Sequence, residues 1–331
     1  MSRVMVIAEA GVNHNGDLNT AKRLVDAAKE AGADAVKFQT YRADLLAAPS
    51  AKKADYQFEH TGKNHSQYEM LKELELSYDN FKELFTYCND QNIMFLSSPF
   101  DEMSMEYLDH LGMEIIKIPS GEITNYNYLK KAAALKKPII LSTGMSTIEE
   151  IKEALNLLDD GGQEIKLLHC SSAYPTPMED VNLNAMFHLK KAFQKKVGYS
   201  DHTMGVEVAI AATALGACVI EKHITLDKTM AGPDHKLSLE PMEFKLMVNS
   251  IRNIETAMGS GRKAPSTEEL KNRDYVRKFL VAAKEIKKGD LFTMDNICAK
   301  RCSPGISPMR LASIIGTPSE RDYKTDERIE I

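Results

Sequence analysis

The stretch VMVIAEAGVNHNGDLNTAKRLVDAAKEAGADAVKF, residues 4–38, holds one complete structural unit. Val4 to Ala8 is a short apolar run of strand character. Asp17 to Ala31 carries Leu18, Ala21, Leu24, Val25 and Ala28 at helical spacing, Gly32 stops the helix, and Ala35 to Phe38 opens the next apolar run. Strand, helix and second strand in this order predict a parallel sheet covered by helices. Further runs follow at Met94 to Leu96, Ile115 to Ile118, Pro138 to Leu141, Ile165 to Leu168, Lys196 to Tyr199 and Val219 to Glu221, making eight in all. Helical stretches separate them, most cleanly Asn125 to Ala134, Ile148 to Leu158 with Gly161 and Gly162 behind it, and Asn182 to Phe193. The expectation is an α/β chain folded as a (β/α)8 TIM barrel, in which the strand ends and following loops build one active site on one rim.

Nearly every run ends in residues that can do chemistry. These are Glu9, Lys37 with Gln39, Ser97 with Ser98, Lys117 with Ser120 and Glu122, Ser142 with Thr143, His169, Ser200 with Asp201 and His202, and Glu221 with His223. A barrel makes such scattered residues neighbours, so the pattern predicts an enzyme.

A barrel takes about 250 residues, and the chain has 331, which leaves room for a small appendage. The expected barrel covers 1–258, closing with a helix from Pro241 to Met258. A linker over 259–276 follows, and a small β-rich unit over 277–331 has short runs at Phe279 to Ala283, Ile286 and Ile297 to Arg301 and a turn at Lys288-Gly289-Asp290. Roughly fifty residues bury too little surface to be secure alone, so this unit is expected to pack on the barrel or on another subunit. From Arg42 to Ser77 the rhythm breaks: Tyr41 to Glu59 is polar and interrupted by Pro49, while Gln67 to Leu76 looks helical. This insertion after the second strand reads either as a substrate lid or as surface decoration.

Net charge is -5, and no basic cluster is denser than Arg277-Lys278 or Lys287-Lys288, which leaves no footing for nucleic acid. Five cysteines, Cys88, Cys170, Cys218, Cys298 and Cys302, form no CxxC pair and point to reduced thiols in a cytoplasm. The first apolar run is too short for a signal sequence or a membrane span, so no membrane role is expected.

His202 and His223 end neighbouring runs seven and eight. Adjacent strands lie about 4.8 Å apart, so the two imidazoles can converge on one ion, the bland alternative being hydrogen-bonded rim histidines. With two nitrogens and no thiolate, such a site keeps positions open for water and substrate oxygens and suits Mn²⁺ or Mg²⁺ better than structural Zn²⁺. Lys37 and Lys117 can clamp a phosphate or carboxylate as point charges. Ser98, Ser120, Ser142, Thr143, Ser172 and Ser200 bring hydroxyls to the same rim, with Asp201 beside the last. One lysine as a Schiff-base nucleophile is a rival reading and requires a depressed pKa; ordinary rim cations are a third. Glu9 and Glu122 either transfer protons or hold a lysine, and Glu122, on the Pro- and Gly-bearing loop after Lys117, is favoured for acid-base work. Asp234, behind Gly232-Pro233, binds sugar hydroxyls or serves a turn, and His14 reads as a turn residue.

Taken in order, the motifs resemble those of the sialic acid synthases. They are Ile7-Ala8-Glu9-Ala10-Gly11, Asn13-His14-Asn15-Gly16, Val36-Lys37-Phe38-Gln39-Thr40, Ser97-Ser98-Pro99-Phe100-Asp101, Lys117-Ile118-Pro119-Ser120-Gly121-Glu122 and Leu141-Ser142-Thr143-Gly144-Met145. Tyr174-Pro175-Thr176-Pro177, Gly198-Tyr199-Ser200-Asp201-His202-Thr203, Glu221-Lys222-His223 and Gly232-Pro233-Asp234 continue the series. Lys300-Arg301 and Gly305-Ile306-Ser307-Pro308 resemble the antifreeze-like (SAF) domain that these enzymes carry at the C-terminus.

The resemblance implies condensation of phosphoenolpyruvate with an open-chain N-acetylmannosamine-type aldehyde and water, giving N-acetylneuraminate and phosphate by C–O cleavage. A 2,4-diacetamido-2,4,6-trideoxyhexose leading to legionaminate or pseudaminate is the alternative within the family. It further implies that His202 and His223 hold Mn²⁺, with Mg²⁺ or Co²⁺ in its place, and that Glu9 and Glu122 act beside them. Lys37, Lys117, Ser98, Ser120, Ser142 and Ser200 would bind phosphoenolpyruvate, while Gln39, Tyr174 and Asp234 would face the sugar; Ser172 and Asp201 are grouped with the substrate-binding residues. A homodimer is implied in which the SAF domain caps the partner's barrel and Arg301 reads the sugar's acyl group. Two places depart from the family pattern: Ser171-Ser172-Ala173 before Tyr174, and Cys302-Ser303-Pro304-Gly305 where relatives commonly show Pro-Gly-Asn-Gly. Outside this family, a Schiff-base aldolase and a non-catalytic sugar-binding barrel are the remaining readings.

Overall fold

The computed structural model describes residues 3–54, 57–58, 66–159 and 162–331. Gly161 and the middle of the expected insertion lie outside the described residues. The described chain divides into two compact units, Met1–Gly259 and Ser260–Ile331.

In the first unit all eight predicted runs are strands: β1 Met5–Gly11, β2 Ala35–Thr40, β3 Met94–Pro99, β4 Ile116–Ile118, β5 Ile139–Ser142, β6 Ile165–Cys170, β7 Lys196–Asp201 and β8 Val219–His223. They pair in parallel in the order β3-β2-β1-β8-β7-β6-β5-β4. β4 packs beside β3, bringing the sheet round into a barrel. Helix α1 spans Leu18–Glu30 with Asp17 as its N-cap, the Asp17 carboxylate accepting from the Thr20 amide. The helix after β6 starts at Ala185 rather than Asn182, because Asn182 holds a left-handed backbone conformation (φ 45°) that cannot open a right-handed helix.

The insertion between β2 and β3 contains a short helix, α2, Ala43–Leu46, and a longer one, α3, Gln67–Leu74, whose N-terminus is closed by reciprocal bonds between Ser66 and Glu69. Val12, Tyr41, Met70 and Leu74 form a small buried cluster that seats it on the rim. The Tyr41 hydroxyl donates to the Leu71 carbonyl at 3.2 Å, and the Ala43 amide donates to Glu75 at 2.8 Å. Gly16, in the turn after β1, is in the left-handed region (φ 73°), and a Cβ there would lie 2.6 Å from the Glu73 carbonyl oxygen. No side chain larger than hydrogen fits that approach.

Side chains alternate along a strand, so each barrel strand offers one series to the interior and one to the helices. Outward residues such as Val6, Ala8, Val36, Phe38, Ile116, Ile118 and Leu141 pack against the helices in one large core. Inward, Ile7, Ala35, Leu96, Ile140, Leu168 and Val219 pack on one another and plug the barrel. Gly198 belongs to this plug, since a Cβ on it would sit 2.4 Å from the Val219 carbonyl and 2.7 Å from a Leu168 methyl.

The second unit has an antiparallel pair, β9 Lys278–Ala282 and β10 Ile297–Arg301, around a core of Leu280, Ala282, Ile286, Phe292, Ile297, Ile314, Tyr323 and Ile329. Lys288-Gly289-Asp290 forms a turn, with the Asp290 amide donating to the Lys287 carbonyl at 3.0 Å. Within the stretch read as linker, Thr267–Val276 is helical, capped by Ser266. No helix among the described residues is long and apolar enough to cross a membrane.

One buried ion pair ties β7 to β8 on the helix-facing side. Lys222 Nζ donates to Asp201 Oδ2 at 2.7 Å and to the Thr203 carbonyl at 2.8 Å, while Asp201 Oδ1 accepts from the Thr203 amide and hydroxyl. Breaking such a pair leaves a buried charge uncompensated. Lys222→Met is therefore expected to lose about 3–5 kcal/mol of stability, read as a lowered urea midpoint; an unchanged midpoint would refute the assignment.

Candidate active site

Two residues beyond each plug residue, the same strands carry polar or charged side chains into the same interior. Ile7 is followed by Glu9, Ala35 by Lys37, Leu96 by Ser98, Ile140 by Ser142, Leu168 by Cys170 and Val219 by Glu221, with Lys117 from β4 and Ser200 from β7 completing the layer. Every one of these side chains is buried.

The layer is bound together by charge. Lys37 Nζ lies 2.5 Å from Glu9 Oε2 and 3.8 Å from Glu221 Oε2, and it donates to Ser98 Oγ at 3.3 Å. Lys117 Nζ donates to Ser142 Oγ at 2.7 Å and lies 3.7 Å from Glu221 Oε1, which also accepts from Ser200 Oγ at 3.0 Å. Glu221 thus stands between both lysines. Burial works against its ionised form, but Lys117 and Lys37 outweigh burial and hold its carboxyl below the usual range. Burial pulls the Lys37 ammonium down, and Glu221 with Glu9 more than offset it, so Lys37 stays firmly protonated. For Lys117 burial prevails over Glu221, and the nearby Lys37 adds to it, so its pKa falls. Glu9 is raised by burial, against the pull of Lys37. Two carboxylates and two ammonium groups leave this buried layer balanced in formal charge.

Beside Lys117, the Gly144 amide donates to Ser120 Oγ at 2.9 Å, and Ser120 Oγ lies 3.3 Å from Cys170 Sγ. A Cβ on Gly144 would meet Ser172 Oγ at 2.5 Å, Ser120 Oγ at 2.9 Å and Cys170 Sγ at 3.0 Å. Glycine is required there because three side chains converge on its Cα. Together with Ser142, these hydroxyls and the lysines form a cradle of donors suited to an oxyanion.

Above this layer stand the two imidazoles. His202 and His223 have ring centroids 5.6 Å apart. His202 Nδ1 is 2.6 Å from the Ser171 carbonyl and must donate to it, which leaves Nε2 with its lone pair, 3.2 Å from the Tyr174 hydroxyl. Burial keeps both rings neutral, His223 strongly so with His202 and Lys37 adding to the effect. His223 Nδ1 is buried without a hydrogen-bond partner, 3.9 Å from Asp234 Oδ2. Burial, with Glu9 adding to it, raises the Asp234 carboxyl to about 7. Glu9 Oε1 accepts from Gln39 Nε2 at 3.1 Å. Neutral rings, a fixed tautomer and an unpartnered buried nitrogen fit a divalent cation held by two protein nitrogens. Among the described residues no group of three or more His, Cys, Asp and Glu side chains is arranged to hold a metal by itself.

Gln39, Tyr174, His223 and Asp234 open into a cavity of about 270 Å³ whose far wall is supplied by Leu46, Gln57, Gln67, Met70, Leu71 and Leu74 of the insertion. The insertion therefore walls a cavity at the rim and is more than surface decoration.

Asp201, Thr143 and His169 spend their side chains outside this layer. Asp201 points to the helix side and spends its carboxylate on Lys222 and Thr203, because it has the opposite parity to Ser200 and His202. Thr143 donates to the Leu168 carbonyl and His169 bonds the Val181 carbonyl, so both serve backbone. Glu122 sits half-buried in the loop after β4, accepting from Asn125 at 2.7 Å. Arg301 ends β10 in the second unit, exposed. Sequence reasoning left Glu221 without a role and read Cys170 only as one of five reduced thiols; the signal for both was their parity with His223 and Leu168.

Burial raises the Glu122 carboxyl above its ordinary 4.5, against the lowering effect of Asn125. A raised folded pKa favours folding below the unfolded pKa, and that contribution disappears as pH rises through the folded value. Glu122→Gln is therefore expected to gain stability relative to the native protein on going from about pH 4 to about pH 8, compared by urea midpoints; a constant difference across that range would contradict it.

Residues 24–263 match the model of the NeuB family. The chain is 54% identical to an N,N'-diacetyllegionaminic acid synthase of Campylobacter jejuni, with 99% of each chain covered. It is 47% identical to the N,N'-diacetyllegionaminic acid synthase of Legionella pneumophila, covering 94% of this chain and 89% of the relative. The crystal structure of an N-acetylneuraminic acid synthetase from Leptospira borgpetersenii superposes with a TM-score of 0.72 at 36% identity, covering 83% of this chain and 93% of that one.

Proposed function

The chain belongs to the NeuB family of transferases, and from that membership we propose that it joins phosphoenolpyruvate to the open-chain aldehyde of a 2,4-diacetamido-2,4,6-trideoxyhexose, with water, to give an N,N'-diacetyllegionaminate-type acid and phosphate. The observation that carries the reaction class is the buried layer in which Lys37 and Lys117 share Glu221, with Glu9 paired to Lys37 and the hydroxyls of Ser98, Ser142 and Ser200 in the same layer. The choice of sugar rests on the relatives. Two synthases named for the diacetyl product are 54% and 47% identical, whereas the N-acetylneuraminic acid synthetase stands at 36%, which favours the diacetamido sugar over N-acetylmannosamine.

In this reading Lys37, Lys117, Ser98, Ser120, Ser142, Ser172 and the Gly144 turn bind the phosphate and carboxylate of phosphoenolpyruvate. Gln39, Tyr174 and Asp234 orient the sugar so that its aldehyde carbon meets the enol carbon. Holding the two face to face removes much of the entropic barrier, effective molarities of well-oriented pairs reaching about 10⁵ M or more. The new C–C bond forms, the aldehyde oxygen takes a proton, water adds to the cationic carbon, and phosphate departs with the C–O bond. Lysines beside the phosphate stabilise the charge that grows on it. Glu122, its pKa raised by burial, is suited to proton transfer near the aldehyde oxygen or the attacking water. His202 and His223 would hold Mn²⁺, or Mg²⁺ or Co²⁺, which as a Lewis acid would polarise the aldehyde. The same reading makes the protein a cytoplasmic homodimer whose small unit, as an antifreeze-like domain, caps the partner's barrel and presents Arg301 to a sugar acyl group.

Phosphate release from phosphoenolpyruvate with Mn²⁺ tests this directly. Turnover is expected to be faster with the diacetamido trideoxy sugar than with N-acetylmannosamine and to vanish with a chelator. Preference for N-acetylmannosamine would move the product to N-acetylneuraminate, and no release with either sugar would overturn the synthase reading. Borohydride is expected to trap no adduct on Lys117; a trapped adduct would replace the cradle by Schiff-base chemistry.

A further inference from the structure

The cavity above the imidazoles has two unlike sides. Its inner end is polar, with Gln39, Tyr174, His223 and Asp234, while Leu46 of α2 and Met70, Leu71 and Leu74 of α3 give its outer wall an apolar stretch. Within that wall Met70 and Leu74 are buried in the cluster that seats the insertion, so their packing is already spent. Leu46 and Leu71 are only partly buried and line the cavity from two separate helices. Gln57 and Gln67 stand in the same wall; Gln57 Oε1 accepts from the Ala54 amide at 3.2 Å, and Gln67 carries a side-chain amide that can both donate and accept.

We propose that Leu46 and Leu71 form the specificity wall for the end of the sugar remote from the aldehyde, receiving its deoxygenated carbon and the methyl of its second acetamido group. This rests on the synthase reading above. If the aldehyde carbon sits beside His223 and the lysine layer, the rest of the sugar chain extends along the cavity toward the insertion. Against the two leucines a hydroxylated end would lose water without gaining a hydrogen bond from them, whereas methyl groups gain by the same burial. The Gln67 amide matches an acetamido group, which likewise both donates and accepts. A pocket of this kind discriminates by about 10- to 100-fold for a single group.

The experiment compares Leu71→Asn, Leu46→Asn and Leu71→Ala with the native enzyme, using the diacetamido trideoxy sugar and N-acetylmannosamine, with the KM for phosphoenolpyruvate as a control on folding. Either Asn variant is expected to raise the KM for the diacetamido sugar by about 10-fold or more and shift the kcat/KM ratio toward N-acetylmannosamine by a similar factor, the KM for phosphoenolpyruvate staying unchanged. Leu71→Ala, which removes apolar surface without adding a polar group, is expected to weaken the diacetamido sugar with a smaller change in the ratio. Native enzyme active on the diacetamido sugar, with variants that keep its sugar ratio or lose both sugars in parallel, overturns the wall alone. Native enzyme inactive on both sugars sinks the synthase reading and the wall with it.

Discussion

Everything in the barrel unit depends on the alternation of side chains along parallel strands that close on themselves. In a barrel each strand residue faces either the helices or the interior, and a shift of one residue exchanges the two. The interior accommodates an apolar plug and, two residues further along, a layer of Glu9, Lys37, Lys117 and Glu221 with their serine partners. Such a layer is an expensive thing to bury. Desolvating a charge costs several kcal/mol, and only the mutual arrangement of two carboxylates with two ammonium groups offsets it.

That arrangement explains the site's electrostatics better than any single residue does. Glu221 touches both lysines and a serine, so it keeps its charge in a place where an isolated carboxylate would be protonated. Lys117 faces a less favourable balance and is the more weakly held cation. In the proposed reaction a phosphate would change the count of charges in the layer and meet the donors around Ser142, Ser120 and the Gly144 turn. Apolar residues of similar volume would stabilise the barrel at least as well, so stability alone does not account for charges here.

The same parity separates scaffold from chemistry within single motifs. Ser200 and His202 face the interior while Asp201, between them, is turned to Lys222 on the helix side. Glu221 and His223 likewise bracket Lys222. The buried pair between Asp201 and Lys222 clamps the two strand ends that carry the imidazoles, so the residues facing outward hold those facing inward. On the rim, the insertion is anchored by a small apolar cluster of its own and turns two of its leucines to the cavity.

The eight strands, the helices between them and the small β unit were legible in the sequence because hydrophobic periodicity is local: it needs only neighbouring residues. The lysines, serines and histidines were legible for the same reason, each closing an apolar run. Asp201 was misplaced because nearness in sequence does not tell which face a side chain takes until strand register is known. Glu221 and Cys170 were passed over because their meaning lies in partners far along the chain, Lys37, Lys117 and Ser120. The role of the insertion was open until packing set α2 and α3 at the barrel rim. The sequence by itself determined the barrel, through local periodicity, and the kinds of chemical group at its rim; only the tertiary structure decided which of them meet, because parity, register and barrel closure set distances that no local pattern contains.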